Sequence, residues 1–157
     1  MAGKYKSRIQ LSRIVRNLRR EGYRVGLING VFDLIHAGHI DIIEKAKRLC
    51  DYLIVAINSD SSTRRLKGRG RPILNEKERI RIVSALSDVD FVTVFNEDTA
   101  KETLAIIRPD FHIKGVEYRG KTLPEEEIDT RYKIKLILLG TKKLNSTSDI
   151  IKRIKSI

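Results

Sequence analysis

Asn29-Gly30-Val31-Phe32-Asp33-Leu34-Ile35-His36-Ala37-Gly38-His39 follows an apolar run, Val25 to Ile28, and leads into a helical pattern beginning at about Gly38. A strand, a glycine turn and a helix start, in that order, set the frame for the whole chain. Ala37 and Gly38 are small enough for backbone amides to approach a ligand closely, and the helix N-terminus behind them favours anionic groups. Imidazole adds donors whose charge responds near neutral pH. The chain has only three histidines, and two of them fall in this turn. The stretch points to a cradle for nucleotide phosphates. The plain alternative is a solvated turn with two incidental histidines, and their pairing weighs against it.

Working outward, Ile9, Leu11, Ile14, Val15 and Leu18 recur at helical spacing over residues 8–20, and Glu21-Gly22 ends that segment. A first strand covers Arg24 to Asn29. The helix after the histidines places Ile42, Ile43, Ala46, Leu49 and Cys50 on one face. Tyr52 to Ile57 is nearly all apolar, as expected of a parallel strand covered on both sides. Residues 59–74 are polar, basic and glycine-containing, and read as a mobile loop over a site. Asn75 and Glu78 form a capping-box pattern, and Thr99 with Glu102 forms another. Phe91 to Phe95 is the third strand, Phe111 to Lys114 the fourth and Ile134 to Leu139 the fifth. Residues 119–132 read as charged and irregular. A last helix, capped by Ser146, is expected to bury Ile150, Ile151, Ile154 and Ile157. Strands alternating with helices imply an α/β fold, a doubly wound parallel sheet with right-handed crossovers.

The 157 residues suit one domain, 1–157, made of an N-terminal helix over 8–20 and a core over 24–157. At 41% hydrophobic and 33% charged residues, the composition is that of a soluble globular protein, not a disordered one. No apolar run is long enough to span a bilayer and nothing resembles a signal peptide, so the expected location is cytoplasmic, without a membrane partner. The lone Cys50 cannot form an internal disulfide and reads as a buried spectator. A net charge of +12, from 32 basic and 20 acidic residues, allows nucleic acid, a membrane surface or polyphosphate substrates. The basic residues are spread along the chain, with one concentration from Arg64 to Arg71. No clustered aromatics accompany them, so small anionic substrates are favoured over nucleic acid.

The motif His36-Ala37-Gly38-His39, preceded by Gly30-Val31-Phe32-Asp33, resembles the HxGH signature of the cytidylyltransferase-like nucleotidyltransferases. Further matches are Asn58-Ser59-Asp60, Leu66-Lys67-Gly68 before Arg71-Pro72-Ile73, and Val89-Asp90-Phe91 before Phe95-Asn96-Glu97-Asp98-Thr99. Arg108-Pro109-Asp110 before Lys114-Gly115, and Ser146-Thr147-Ser148, complete the series. Together they are similar to the heptose-1-phosphate adenylyltransferase branch, the nucleotidyltransferase half of bacterial ADP-heptose synthase. The resemblance implies a Rossmann-like five-stranded sheet of order 3-2-1-4-5, which would bring Asn29–Asp33 and Lys114–Tyr118 face to face across one cleft.

The implied reaction is attack by a phosphorylated acceptor on the α-phosphorus of a nucleoside triphosphate, with release of pyrophosphate. It needs no protein nucleophile; the protein aligns the reactants and neutralises developing charge. The resemblance assigns catalysis to His36, His39 and Lys67. Nucleotide binding falls to Asn29, Gly30, Val31, Phe32, both histidines, Arg79, Lys114, Gly115, Glu117, Ser146, Thr147 and Ser148. Acceptor binding falls to Asp33, Asn58, Asp60, Arg64, Arg65 and Lys67. Mg2+ is expected as companion of the triphosphate, with no dedicated protein metal site. His112, in a short apolar strand, reads as a core residue. A homodimer is expected, resting on the N-terminal helix and the segment around Leu123–Tyr132.

The chain departs from the pattern of the heptose enzymes in one region. Lys114-Gly115-Val116-Glu117-Tyr118 stands where they carry Lys-Gly-Gly-Asp-Tyr, and Glu125-Glu126-Glu127 replaces a glycine-rich stretch. The reaction class is untouched, while base and acceptor stay open. ATP with heptose 1-phosphate is the first reading. CTP with glycerol 3-phosphate or phosphoethanolamine, and ATP with FMN as in FAD synthetases, are alternatives of the same chemistry. A non-catalytic nucleotide- or RNA-binding protein is the alternative of another class.

Overall fold

In the computed structural model, which describes residues 3–140 and 146–157, α1 (Arg8–Arg20) precedes β1 (Val25–Gly30), α2 (Ala37–Lys47), β2 (Tyr52–Asn58) and α3 (Asp60–Lys67). There follow α4 (Glu76–Ser84), β3 (Phe91–Phe95), α5 (Lys101–Ile107) and β4 (Phe111–Gly115). A 3-10 turn over Val116–Tyr118, α6 (Glu126–Arg131), β5 (Lys135–Leu139) and α7 (Thr147–Lys155) complete the chain. All five strands pair in parallel, in the order β3-β2-β1-β4-β5. The fold class and strand order inferred above are those observed.

Apolar side chains alternate between two covered faces. Leu27, Ile54, Ala56 and Phe95 pack with Leu11, Val15, Leu104 and Ile107 of α1 and α5. On the other face Ile28, Val55, Ile57 and Ile113 pack with Ile43, Ala46 and Val83 of α2 and α4. That two-sided burial explains why the central strand β2 reads as an unbroken apolar run. From β1 the chain winds outward through β2 to β3, then returns to lay β4 on the other side of β1. The carboxyl ends of β1 and β4 therefore part around a crevice.

Several local expectations are corrected. Residues 59–74 are not one loop, because 60–67 form α3. Its start is fixed by Ser59, whose hydroxyl accepts the Ser62 N–H, and by Thr63, whose hydroxyl donates to the Ser59 carbonyl. Ser62 and Thr63 face inward, so the helix has no apolar stripe to betray it. Residues 119–132 likewise contain α6, whose inward-facing side is the carboxylate of Asp129. Asn75 and Glu78 make both arms of their capping box. Thr99 and Glu102 do not: the residue at the cap is Ala100, and its N–H donates to the buried carboxylate of Glu125 at 3.1 Å. Leu49 lies beyond the end of α2 and is partly exposed, at 37%. In α7 Ile150 and Ile151 are half-buried, whereas Ile154 and Ile157 are exposed, since the helix lies at the rim of the domain. Of the segments expected to form a dimer interface, α1 turns Leu11 and Val15 inward and leaves Ile9 exposed, while Leu123, Glu125 and Asp129 are buried.

Cys50 is buried beside Gly26 and its sulfur donates to the Ala46 carbonyl. Burial raises its thiol pKa to about 11, so it is an inert core residue, as expected.

Candidate active site

The crevice opens into a cleft of about 830 Å³, bounded by the ends of β1 and β4 and by the N-termini of α2 and α7. That volume lies in the range of small-ligand sites. Its back wall is Asn29 to Asp33. Gly30 lies close under the Phe32 ring, where a Cβ would stand 3.2 Å from it and press on it. Phe32 itself has a left-handed backbone, φ 51°, which is costly for a bulky residue and is sustained by burial of the ring. The turn so produced delivers the chain to His36 at the cap of α2.

The two histidines are interlocked. The Gly38 N–H donates to His36 Nδ1 at 3.1 Å, and the His36 N–H donates to His39 Nδ1 at 3.3 Å. With both Nδ1 atoms accepting, a neutral ring carries its proton on Nε2. The ring centroids are 3.9 Å apart, and the Phe32 ring lies 5.2 Å from that of His39. Burial, and then the nearby His36, lowers the His39 pKa to about 4. His39 is therefore a neutral N–H donor at physiological pH.

On the β4 side Lys114, Gly115, Glu117 and Tyr118 line the cleft. Lys114 is buried with its ammonium 4.4 Å from the Tyr118 ring centroid. Burial depresses its pKa, and the carboxylates of Glu125 and Glu117 oppose that effect. The Glu117 carboxylate folds back onto Gly115 so closely that a Cβ there would overlap it. Ser146, Thr147 and Ser148 face the cleft from the start of α7, where the Ser146 hydroxyl accepts the Asp149 N–H at 3.0 Å. Lys67, exposed at the end of α3, and Asn58 complete the predicted residues that reach the cleft.

Four predicted residues do not. Arg79 is fully buried, and it touches neither phosphate space nor the helix surface. Its guanidinium donates to the carbonyls of Leu74, Val31 and Asn58 and to Asp60 Oδ1, at 2.7–3.0 Å. It thus ties the turns after β1 and β2 to the start of α4, and Asp60 is spent as its counter-ion. Arg65 does not line the cleft but pairs at 2.7 Å with Asp98 at its edge, and Arg64 is exposed. A fifth assignment changes in kind. Asp33 borders the cleft, but its carboxylate accepts Arg71 Nε at 2.8 Å and the N–H groups of Ile73 and Leu74. At 1% exposure it is a strap for the 68–74 turn rather than a receiver of acceptor hydroxyls.

Sequence reasoning gave no site role to Arg71 or Lys152, which line the cleft, and reached Tyr118 only as the end of the Lys114–Tyr118 stretch. Arg71 had a signal, its place in the matched Arg-Pro-Ile series; Lys152, inside α7, had none. Among the described residues no three His, Cys, Asp or Glu side chains converge on a metal position. Likewise no helix is long and apolar enough to cross a membrane.

The model of the cytidylyltransferase-like family matches residues 27–154. Among curated proteins, Bifunctional protein HldE of Syntrophotalea carbinolica is 42% identical over 154 residues, 96% of this chain and 31% of its own. Bifunctional protein HldE of Caulobacter vibrioides is 40% identical over 153 residues, 98% of this chain and 32% of its own. The chain thus spans about a third of the length of the curated relatives it matches. Among solved structures, the lipopolysaccharide core biosynthesis protein from Thermoplasma volcanium GSS1 superposes with a TM-score of 0.65 at 28% identity. That match covers 78% of this chain and 100% of the other.

Proposed function

The chain belongs to the cytidylyltransferase-like family, and from that premise we propose that it transfers AMP from ATP to a sugar phosphate such as heptose 1-phosphate, releasing pyrophosphate. The observation that carries the proposal is the interlocked histidine pair at the N-terminus of α2. Two imidazoles, locked by backbone N–H groups into the Nε2–H form, face a cleft at the winding reversal of a parallel sheet.

Catalysis follows from position. The acceptor's phosphate oxygen attacks the α-phosphorus in line, and the bond to the bridging oxygen of pyrophosphate breaks. His36 and His39 donate to phosphoryl oxygens as negative charge develops. Lys67, from the end of α3, and Lys114, from the end of β4, neutralise the triphosphate and its leaving group. Ser146 and Thr147 add the amides of a second helix N-terminus. With no cluster of protein ligands among the described residues, magnesium would be held mainly by the triphosphate and would supply charge neutralisation there when bound.

A sugar acceptor is supported by the motif series shared with the heptose branch and by the likeness to the Thermoplasma lipopolysaccharide core biosynthesis protein. The Val116-Glu117 departure favours keeping a second reading, the same transfer to another phosphorylated acceptor. Pyrophosphate release across a grid of nucleoside triphosphates and phosphorylated acceptors separates the two. Activity confined to ATP with a heptose 1-phosphate upholds the first; activity only with CTP or a different acceptor replaces it. The same reading carries a homodimer in a cytoplasmic setting.

A further inference from the structure

His112 sits beneath the cleft, fully buried on β4, where no substrate reaches it. Its Nδ1 lies 2.8 Å from Asp129 Oδ2 on α6, and its Nε2 lies 3.0 Å from Asn29 Oδ1. The register sets Leu27 against His112, so Asn29 and His112 share one face of the sheet, with Asn29 nearer the carboxyl ends. Asn29 lines the cleft and His112 does not.

Both ring nitrogens face oxygens. A neutral imidazole donates through one nitrogen only, so it can serve Asp129 or the Asn29 oxygen but not both. Asp129 is itself buried, and its second oxygen, Oδ1, has no hydrogen-bond partner among the described residues. A carboxylate so placed is best compensated by a charged donor. Lys114, two residues further along β4, is acted on by the carboxylates of Glu117 and Glu125, and Tyr118 and Lys121 lie beside it.

The pair thereby settles which end of the Asn29 carboxamide meets the ring. With Oδ1 held by Nε2–H, the amino group remains for the cleft as a two-proton donor. We infer that His112 and Asp129 are positioning residues that hold Asn29 as a hydrogen-bond donor to a phosphoryl oxygen of the bound nucleotide. The ligand's identity rests on the nucleotidyl-transfer reading; the state of the ring does not.

Two measurements test this. In ligand-free, 15N-labelled protein, a long-range 1H–15N correlation should show a proton on His112 Nε2, assigned by its loss in His112→Gln. A wild-type ring with a bare Nε2 overturns the inference. Calorimetric titration with ATP and with inorganic pyrophosphate supplies the second arm. Asn29→Ala and Asp129→Asn should each weaken binding of both probes about tenfold, the scale of one charge-assisted contact. The double variant should bind no more weakly than Asn29→Ala alone, because Asp129 acts through Asn29. Additive losses, or unchanged binding in Asn29→Ala, would remove the positioning role. A wild type that binds neither probe, with a proton on Nε2, would remove the nucleotide reading and its ligand while leaving the ring's state established.

Discussion

The backbone N–H of His36 donates to Nδ1 of His39 at 3.3 Å, so one catalytic candidate fixes the tautomer of the other. The relation couples them in function. Losing His39 removes a donor and also frees the entry of α2, whereas losing His36 removes the acceptor of the Gly38 N–H.

His36→Ala and His39→Ala should each lower turnover at least about a hundredfold, the scale of one preorganised oxyanion donor. Circular dichroism should show the fold retained. Steady-state pyrophosphate release is the readout, and normal turnover in both folded variants would take the histidines out of the mechanism.

Acid should destabilise the protein through His39. Its folded pKa is lowered to about 4, against 6.5 for a free imidazole, so between these values the unfolded chain binds a proton that the folded chain refuses. The stabilisation is complete above pH 6.5 and drains away as pH falls toward about 4, by up to about 3 kcal/mol. Urea unfolding of wild type and His39→Gln at pH 7.5 and 4.5 measures it. The variant should lose less stability; parallel losses would place the acid sensitivity elsewhere.

Arg79→Met should cost about 3–5 kcal/mol, because it strands Asp60 and three carbonyls that the guanidinium satisfies. Urea midpoints, and KM for the triphosphate under stabilising conditions, distinguish this from a phosphate contact. A raised KM at unchanged stability would restore the ligand role.

Trypsin should cut between Arg64 and Arg71, where the chain is exposed from Arg64 to Gly70, and nucleotide with magnesium should slow that cleavage. The Asp33 strap holds the far end of this segment, so Asp33→Asn should speed cleavage without ligand. Cleavage indifferent to saturating nucleotide would show that the end of α3 does not close over the site.

Sedimentation at moderate salt should report a mass twice the 18.0 kDa chain. The exposed apolar surface that a two-fold contact could use includes Ile9 on α1, and Ile154 and Ile157 at the end of the chain. Ile154→Lys should then yield monomer; a wild-type monomer at micromolar concentration ends the proposal.

The sheet was legible because its strands are short apolar runs set between glycine turns and capped helices, and every strand falls within one residue of its expected limits. The histidine turn was legible for the same reason, since its meaning is local. What escaped were polar side chains turned inward. Ser62 and Thr63 made a helix look like a loop, and Asp129 hid α6 among charges. Arg79 and Asp33 were assigned to ligands because a charged residue near a phosphate turn invites that reading. Only the three-dimensional arrangement shows that carbonyls and amides from distant turns consume them.

The ties made by Arg79 and Asp33 all lie on the histidine side of the cleft, binding the turns after β1 and β2 to α4 and to the 68–74 segment. The opposite wall, the 3-10 turn and the stretch up to Glu125, is built on neither of those anchors. The two banks can consequently drift apart in evolution. One is a braced machine part, in which a single change is felt by three loops at once. The other is an interchangeable jaw, where Val116 and Glu117 already differ from the heptose pattern, and which a designer could reshape for a new acceptor without unseating the histidines.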